Sequence, residues 1–289
     1  MYDGGADYRG KVGISLKTAA FIGTGSMGSA LARAACRAIG PGEVVLSNRT
    51  AAKAEALAGE LGCAAAADNA QAVEGARYVF LCVKPQMMEG VLSGLGPVLR
   101  RCHEAGEDKV LVSVAAGLRL ADLSRFAQGA GYVPAILRLM PNTCVGVGQG
   151  VTALCAPEGA DENMLTEVEG ILSASGLVTR IPEGQMDAFS ALAGCGPAFA
   201  CLFLEALADG GVMAGLPRTQ ALEYAARMVQ GTCAMALASG KHPGALKDEV
   251  CSPAGSTIAG VAALERGGFR AAAMEAVLAS WRRNAELGG

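Results

Sequence analysis

Aromatic side chains are scarce in this chain: Phe, Trp and Tyr together make up 4% of its 289 residues, with a single Trp. That scarcity removes the stacking platforms on which single-stranded nucleic acids are usually held. No surplus of positive charge compensates. The formal net charge is -3 and the sequence pI about 5.6, which disfavours nucleic acid or an anionic membrane surface as partner. Histidine is nearly missing, at two residues; neither His103 nor His242 has a ligand pattern around it, so both are expected at the surface and no metal site is expected. The ten cysteines form no CxxC pair, and the two nearest in sequence are Cys195 and Cys201. Buried free thiols in a reducing, cytoplasmic compartment are therefore expected rather than a disulfide scaffold. The opening MYDGGADYRGKVGISLK contains acidic groups and no apolar core, unlike a secretory signal. The most apolar later stretch, Ala198 to Leu216, is interrupted by Glu205, Asp209 and a glycine pair, so no membrane span is expected.

What the chain does contain is apolar residues, at 52%, and 40 glycines, against 18% charged residues. That is the composition of a compact protein, and the length suits two domains. Residues 1–17 lack periodicity and are expected to be a loose tail. From Ala19 short apolar runs alternate with helical patterns: AAFIG, EVVLSNR, YVFLCV, KVLVSV and AILRLM read as buried strands. This is the βαβ pattern, and it predicts a mostly parallel sheet with helices on both faces over residues 18–182. After GLVTRIP the strand-like runs stop, and residues 183–289 read as all-helical. Stretches such as ACLFLEALADGGVMAGL are apolar on more than one face, which calls for cover by a second subunit.

GTGSMG places Gly23, Gly25 and Gly28 in a GxGxxG pattern between a strand and a helix, the context that dinucleotide binding requires. The first glycine permits the tight turn, the second lets backbone approach a pyrophosphate, and the third lets helix and strand pack closely. Thr24, Ser26 and Met27 belong to the same loop. An NAD site places a carboxylate roughly 20 residues on, at the end of the second strand. Here the chain has Ser47, Asn48, Arg49 and Thr50 instead. Arg49 can pair with a 2′-phosphate, so NADPH is expected, with NADH the weaker alternative; a solvated surface arginine is the plainer reading. VKPQ, SVAAG and MPNT also fall at strand ends, where ligands of parallel sheets bind. They make Val83, Lys84, Pro85, Ala115, Ala116, Pro141 and Asn142 candidate cofactor contacts, although each block also suits ordinary turn chemistry.

Seven ordered blocks, FIGTGSMG, CVKPQ, SVAAGL, RLMPNT, AGCGPAF, EALADGGVMAGLP and DEVCSPAGSTIAGVAALERGGFRAA, strongly resemble the pyrroline-5-carboxylate reductase family from about Ala19 onward. The resemblance implies an N-terminal Rossmann-type doubly wound α/β sheet followed by an all-helical C-terminal dimerisation domain. It also implies a homodimer through the helical domain, often in a ring of dimers, with the active site between a cofactor domain and the helices of the dimer. The implied activity is NADPH-dependent reduction of a small imino acid, 1-pyrroline-5-carboxylate, to L-proline. This chain departs from the family pattern at Cys144, Cys195, Cys251 and Ala254, each time with a small residue.

Such a reaction needs a hydride on carbon and a proton on nitrogen, so neither metal nor nucleophile is required. In DEVCSPAGST, Ser252 is a suitable N-cap and Pro253 a suitable first helical residue. Free N–H groups of Gly255, Ser256 and Thr257 are then expected to face the substrate carboxylate, with Val250 lining the same turn. The Thr257 hydroxyl can bond the ring nitrogen, which resembles its matching role in the family. A capped helix without a ligand is the plainer alternative. Cys195 is expected to be a packing residue. A β-hydroxyacid dehydrogenase, another imine reductase and a non-catalytic NADP-binding regulator are the competing functions.

Overall fold

The computed structural model describes residues 17–287 and divides into two compact units. The expected tail lies outside the described residues except for Lys17, which opens the first strand. Residues 17–194 with 284–287 make the first unit, and Cys195–Arg283 the second. The division falls after Gly194, downstream of the 182/183 boundary drawn from the sequence, because Met186 packs with Met140, Ala153 and Cys155 of the first unit.

The first unit runs β1 (Lys17–Ile22), α1 (Ser26–Ile39), β2 (Val44–Ser47), α2 (Ala51–Leu61), β3 (Ala64–Ala65), α3 (Asn69–Glu74), β4 (Ala76–Leu81) and α4 (Pro85–Glu104). It continues through β5 (Val110–Ser113), α5 (Leu120–Phe126), β6 (Ala135–Pro141), β7 (Gly150–Cys155), α6 (Glu162–Ile171), β8 (Gly176–Arg180) and α7 (Met186–Phe189). The eight strands form one sheet in the order β3-β2-β1-β4-β5-β6-β7-β8, and only the β6–β7 pair is antiparallel. The order reverses between β1 and β4, which makes their carboxyl ends the switch point where a doubly wound sheet binds its ligand. Strands β3 and β7 lie outside the runs read from periodicity; β3 has only two residues, too few to show a pattern.

Side-chain alternation along the strands builds two apolar layers. Ala19 and Phe21 of β1 join α1, α2 and α6 on one face, while Ala20 and Ile22 join α3, α4 and α5 on the other. Phe21 stacks on Phe80 of β4 at 4.6 Å between ring centroids. Burial on both faces explains why these strands read as continuous apolar runs.

The second unit contains α8 (Gly196–Met213), α9 (Arg218–Ser239), α10 (Pro243–Glu249), α11 (Ser256–Arg266) and α12 (Phe269–Leu287) as far as Arg283. Helices α8 and α9 pack on each other, and Phe203 meets Phe269 at 5.4 Å. Much of the apolar surface is uncovered within one chain: Leu202 is 69% exposed and Leu237 86%. One continuous helical run among the described residues, Glu183–Met213, is long and apolar enough to cross a membrane by length and composition. Glu205, Asp209 and the glycine pair do not bring it below that level. A π-helical turn, Ser190–Gly194, interrupts its regular hydrogen bonding.

Candidate active site

A cleft of about 470 Å³ opens at the carboxyl ends of β1, β2 and β4. It gathers Gly23, Thr24 and Gly25 from the first turn, Asn48, Arg49 and Thr50 from the second, and Val83 and Lys84 from the third. The glycine turn is held from both sides. The Gly23 N–H donates to the Ser47 carbonyl at 2.8 Å, and its φ of +99° is one that only glycine adopts freely. A Cβ on Gly23 would lie 2.6 Å from the Cys82 carbonyl oxygen, and one on Gly28 would lie 2.0 Å from the Gly23 oxygen. Gly25 is different: no atom lies within 4 Å of where its Cβ would be. Its side is open to the cleft, as close approach of a pyrophosphate requires.

The Thr24 N–H donates to Asn48 Oδ1 at 3.2 Å, and Asn48 Nδ2 donates to the Thr50 carbonyl at 3.1 Å. Asn48 thus ties the glycine turn to the loop after β2. Thr24 Oγ1 is buried without a hydrogen-bond partner among the described residues. Helix α1 has no side-chain cap, so its first-turn N–H groups are available to an anion. Arg49, Lys53 and Lys84 line the cleft, and none has an ion-pair partner among the described residues. The Asp68 carboxylate, also on the wall, accepts the Gln71 N–H at 2.8 Å as the cap of α3. An orphaned hydroxyl, a glycine facing open space and unpaired cations together fit a phosphorylated dinucleotide.

Several lining residues escaped the motif reading, among them Lys53, Asp68, Asn69 and Met87. Asn69 Oδ1 accepts from Ser47 Oγ at 2.7 Å, which draws the start of α3 to the end of β2. Cys82 is a further one; burial pushes its thiol up to about 12, so it is a neutral wall residue.

Other candidates do not line this cleft. Ser26, Met27 and Gly28 form the first turn of α1, and Pro85 is the first residue of α4. Ala115 and Ala116 follow β5, and Pro141 ends β6 opposite Thr152. The Asn142 side chain braces its own surroundings: Oδ1 accepts from the Cys144 and Val151 N–H groups, and Nδ2 donates to the Ala193 carbonyl at 3.0 Å. That carbonyl lies in the π-helical turn, whose irregular bonding leaves acceptors to be satisfied.

In the second unit, Val250 is the C-cap of α10 and the chain then turns through Cys251–Gly255 into α11. The expected helix start is corrected here. Ser252 is not the N-cap and Pro253 is not helical; the N-cap is Gly255 and the first helical residue Ser256. Ala254 has φ +56°, a left-handed conformation that a right-handed helix cannot include. The Gly255 N–H donates to the Ser252 carbonyl at 3.0 Å, closing a β-turn with Pro253 and Ala254 at its centre, the type II pattern. The Gly255 N–H is therefore engaged rather than free, and the open first-turn donors shift to Ser256, Thr257 and Ile258. A Cβ at Gly255 would meet the Ser252 hydroxyl, so a larger residue there would force that side chain to turn. Thr257 is exposed within the single chain, and its hydroxyl has no partner among the described residues.

Both histidines are exposed, as expected, and each has a local partner. His242 Nδ1 accepts the Gly244 N–H at 3.1 Å and caps α10, while His103 contacts Asp108 at 2.6 Å and stacks on Tyr132. Cys195 is the N-cap residue of α8, half-buried, without a side-chain capping bond.

A dinucleotide cleft on a doubly wound sheet, joined in one chain to an all-helical unit, defines a two-domain nicotinamide-nucleotide oxidoreductase. Comparison with known proteins narrows the class. A sequence model described as pyrroline-5-carboxylate reductase dimerisation matches residues 183–287, and one described as coenzyme F420-dependent NADP oxidoreductase matches residues 18–117. The pyrroline-5-carboxylate reductase of Pisum sativum is 39% identical over 93% of this chain and 96% of its own length. The Escherichia coli K12 enzyme of the same name is 36% identical over 94% and 98%. A solved pyrroline-5-carboxylate reductase from Coxiella burnetii superposes with a TM-score of 0.85 at 29% identity, covering 95% of this chain and all of that one. The Plasmodium falciparum pyrroline carboxylate reductase with NADP bound gives 0.82 at 28% identity, covering 96% of this chain and 100% of that one. The chain belongs to the pyrroline-5-carboxylate reductase family and carries that family's dimerisation domain.

Proposed function

We propose that this chain reduces 1-pyrroline-5-carboxylate to L-proline with NADPH, the last step of proline biosynthesis, with NADH as the weaker alternative. The observation that carries this reading is the pair of sites in one chain of this family. One is a dinucleotide cleft without a carboxylate at the end of β2; the other is a helix start with open N–H groups beside the unpartnered Thr257 hydroxyl.

Bound NADPH supplies the hydride that the imine carbon accepts. In the cofactor unit, the turn Gly23–Gly25 and the first-turn N–H groups of Ser26 and Met27 receive the pyrophosphate, Gly28 lets α1 pack closely on that turn, and Asn48, Arg49 and Thr50 receive the phosphorylated ribose. Arg49 neutralises the 2′-phosphate there. Val83, Lys84, Pro85, Ala115, Ala116, Pro141 and Asn142 support the remaining length of the cofactor, Asn142 by bracing backbone. In the helical unit, the N–H groups of Ser256 and Thr257 hold the substrate carboxylate in the field of the α11 dipole. Val250, Ser252 and Gly255 shape that turn. The Thr257 hydroxyl bonds the ring nitrogen, orients the imine and helps deliver its proton. Cofactor and substrate groups come from different units, so neither unit alone has the whole reaction.

The chain works as a dimer through its helical unit. The Glu183–Met213 run, only 11% of whose most apolar window is buried in one chain, overlaps the stretch matched to the dimerisation model, which supports a subunit interface rather than a membrane span. Ten free thiols support a reducing compartment, the cytoplasm.

The test follows NADPH loss with pyrroline-5-carboxylate present and absent, with proline measured as product. Imine-dependent loss with stoichiometric proline supports the proposal. NADP binding without turnover would identify a cofactor-binding regulator, and turnover only with other imines a different imine reductase.

A further inference from the structure

A recess of about 340 Å³ on the first unit gathers four charged side chains. It is lined by Gly117 and Arg119 after β5, Arg138 of β6, Glu183 and Gly184 from the turn that leads into α7, and Asp187 of α7 itself. None of these residues lines the cofactor cleft. Two of the four charges are fixed on each other: Glu183 Oε1 accepts from Arg138 Nη1 at 2.5 Å and from the Leu120 N–H at 2.7 Å. Arg138 is only 4% exposed, yet of its nitrogens only Nη1 has a partner among the described residues, and Nε is buried without one. A guanidinium buried at that depth ordinarily has its donors satisfied. The other two charges, Arg119 and Asp187, have no ion-pair partner among the described residues. Asp122, one turn along from Arg119, is already engaged by the Arg125 guanidinium and the Arg119 backbone N–H.

The geometry points to a binding site for a small zwitterionic α-amino acid, its carboxylate on the Arg119 and Arg138 guanidiniums and its ammonium on the Asp187 carboxylate. The charge pattern selects that class. A dianion such as phosphate would meet two carboxylates, and a divalent cation two guanidiniums. A neutral ligand would desolvate Arg119 and Asp187 and return nothing to either. A ligand carrying both signs answers both, through charge-assisted hydrogen bonds. Glu183 holds the Arg138 guanidinium in place while leaving it donors to spare. The recess falls within the size range of small-molecule sites. Gly184 keeps one wall open, since no atom lies within 4 Å of where its Cβ would be, and that leaves room for the ligand's side chain. An occupant would bridge the residues after β5 to α7.

This inference does not rest on the reductase reading. Its test is ligand-observed NMR on the full-length protein with glycine, L-alanine, L-serine, L-valine and L-proline at millimolar concentration, repeated with Arg119→Gln and Asp187→Asn. At least one amino acid should bind the wild type, and each substitution should weaken it at least tenfold. NADPH titration should give the same affinity in all three proteins, which shows that the variants fold. Acetate and methylammonium, each carrying one half of the zwitterion, should bind at least tenfold more weakly than the amino acid. In the wild type alone, the Gly117 and Gly184 amide resonances should shift on titration, a reading that depends on no variant. Absence of binding by every amino acid overturns the inference, as do unmoved Gly117 and Gly184 resonances. Binding that both variants retain places the ligand elsewhere, as a product held at the α11 turn would be, and overturns it too. Acetate binding as tightly as the amino acid would make the recess a plain anion site.

Discussion

The backbone N–H of Thr24 donates to the side-chain oxygen of Asn48 at 3.2 Å, so the glycine turn after β1 and the loop after β2 are held as one surface. Arg49, the next residue, lines the cleft and has no ion-pair partner among the described residues. The two neighbours should therefore fail differently. Asn48→Ala loosens the turn that every dinucleotide needs and should weaken NADPH and NADH alike. Arg49→Ala removes a charge-assisted contact that only the 2′-phosphate can make, and should weaken NADPH more than NADH by about 1–3 kcal/mol. Calorimetric titration of both variants with both cofactors checks the contrast; equal loss in Arg49→Ala removes its assignment to the phosphate.

Thr257→Ala deletes the hydroxyl at the start of α11 but keeps the N–H groups proposed to hold the carboxylate. Its loss should fall on turnover, about tenfold to a hundredfold, or about 1.4–2.7 kcal/mol of barrier. Thr257→Ser should retain much of the activity. Steady-state kinetics against the imine, with folding checked by circular dichroism, reads both; parental turnover in Thr257→Ala would leave the hydroxyl without a catalytic part.

Ala254 is the one non-glycine residue with positive φ among the described residues, at +56°. Left-handed backbone costs an L-residue roughly 1–2 kcal/mol, partly offset by the extra unfolded-state entropy of glycine. Ala254→Gly should therefore stabilise the chain by less than about 1 kcal/mol. Ala254→Val puts a branched Cβ in the same conformation and should destabilise it and misdirect the first turn of α11. Denaturant midpoints measured at one protein concentration give the order Gly above Ala above Val.

Cys82 is half-buried just after β4, and desolvation raises its thiol from 9.0 to about 12. The folded pKa lies above the unfolded one. Its contribution to stability is complete below pH 9 and is lost as pH rises toward 12, because the unfolded chain ionises first. Cys82→Ala keeps the Cβ that packs on the glycine turn and should flatten that part of the alkaline decline. Unfolding midpoints between pH 8 and 10.5 test it, and parallel curves for the two proteins would contradict it.

Leu202 and Leu237 lie 69% and 86% exposed on α8 and α9. A carboxylate at either place would be desolvated without a partner if a second subunit covers these helices, at a cost of several kcal/mol. Leu202→Asp combined with Leu237→Asp should halve the mass measured by light scattering and abolish turnover while cofactor binding persists. An unchanged mass would place the interface elsewhere on the helical unit.

Local patterns carried much of this protein. A glycine trio between an apolar run and a helical pattern marked a turn that the structure places in the cleft, and an arginine in place of a carboxylate after β2, which pointed to NADPH, lines the same cleft. Lys53, Asp68 and Asn69 carried no such signal. They reach the cleft only because β1 pairs with both β2 and β4, bringing three strand ends and the start of α3 to one edge. The helix start at Ser252 was misread for a related reason: Ser-Pro is a good cap signal, but the chain spends those residues on a turn through left-handed Ala254 first.

The sequence by itself determined what propensity and alternation can determine: parallel strands buried on both faces, a strand-free second unit among the described residues, and helices too apolar to stand uncovered. Those follow from side-chain size, charge and period, which act within a few residues. Only the tertiary structure decided which distant groups meet. Asn48 bonds to the glycine turn, Arg33 pairs with Glu60 across α1 and α2, and Asn142 braces the π-helical turn because strand pairing and helix packing close long loops onto chosen partners. The free energy of those closures depends on the whole fold, and no short stretch of residues records it.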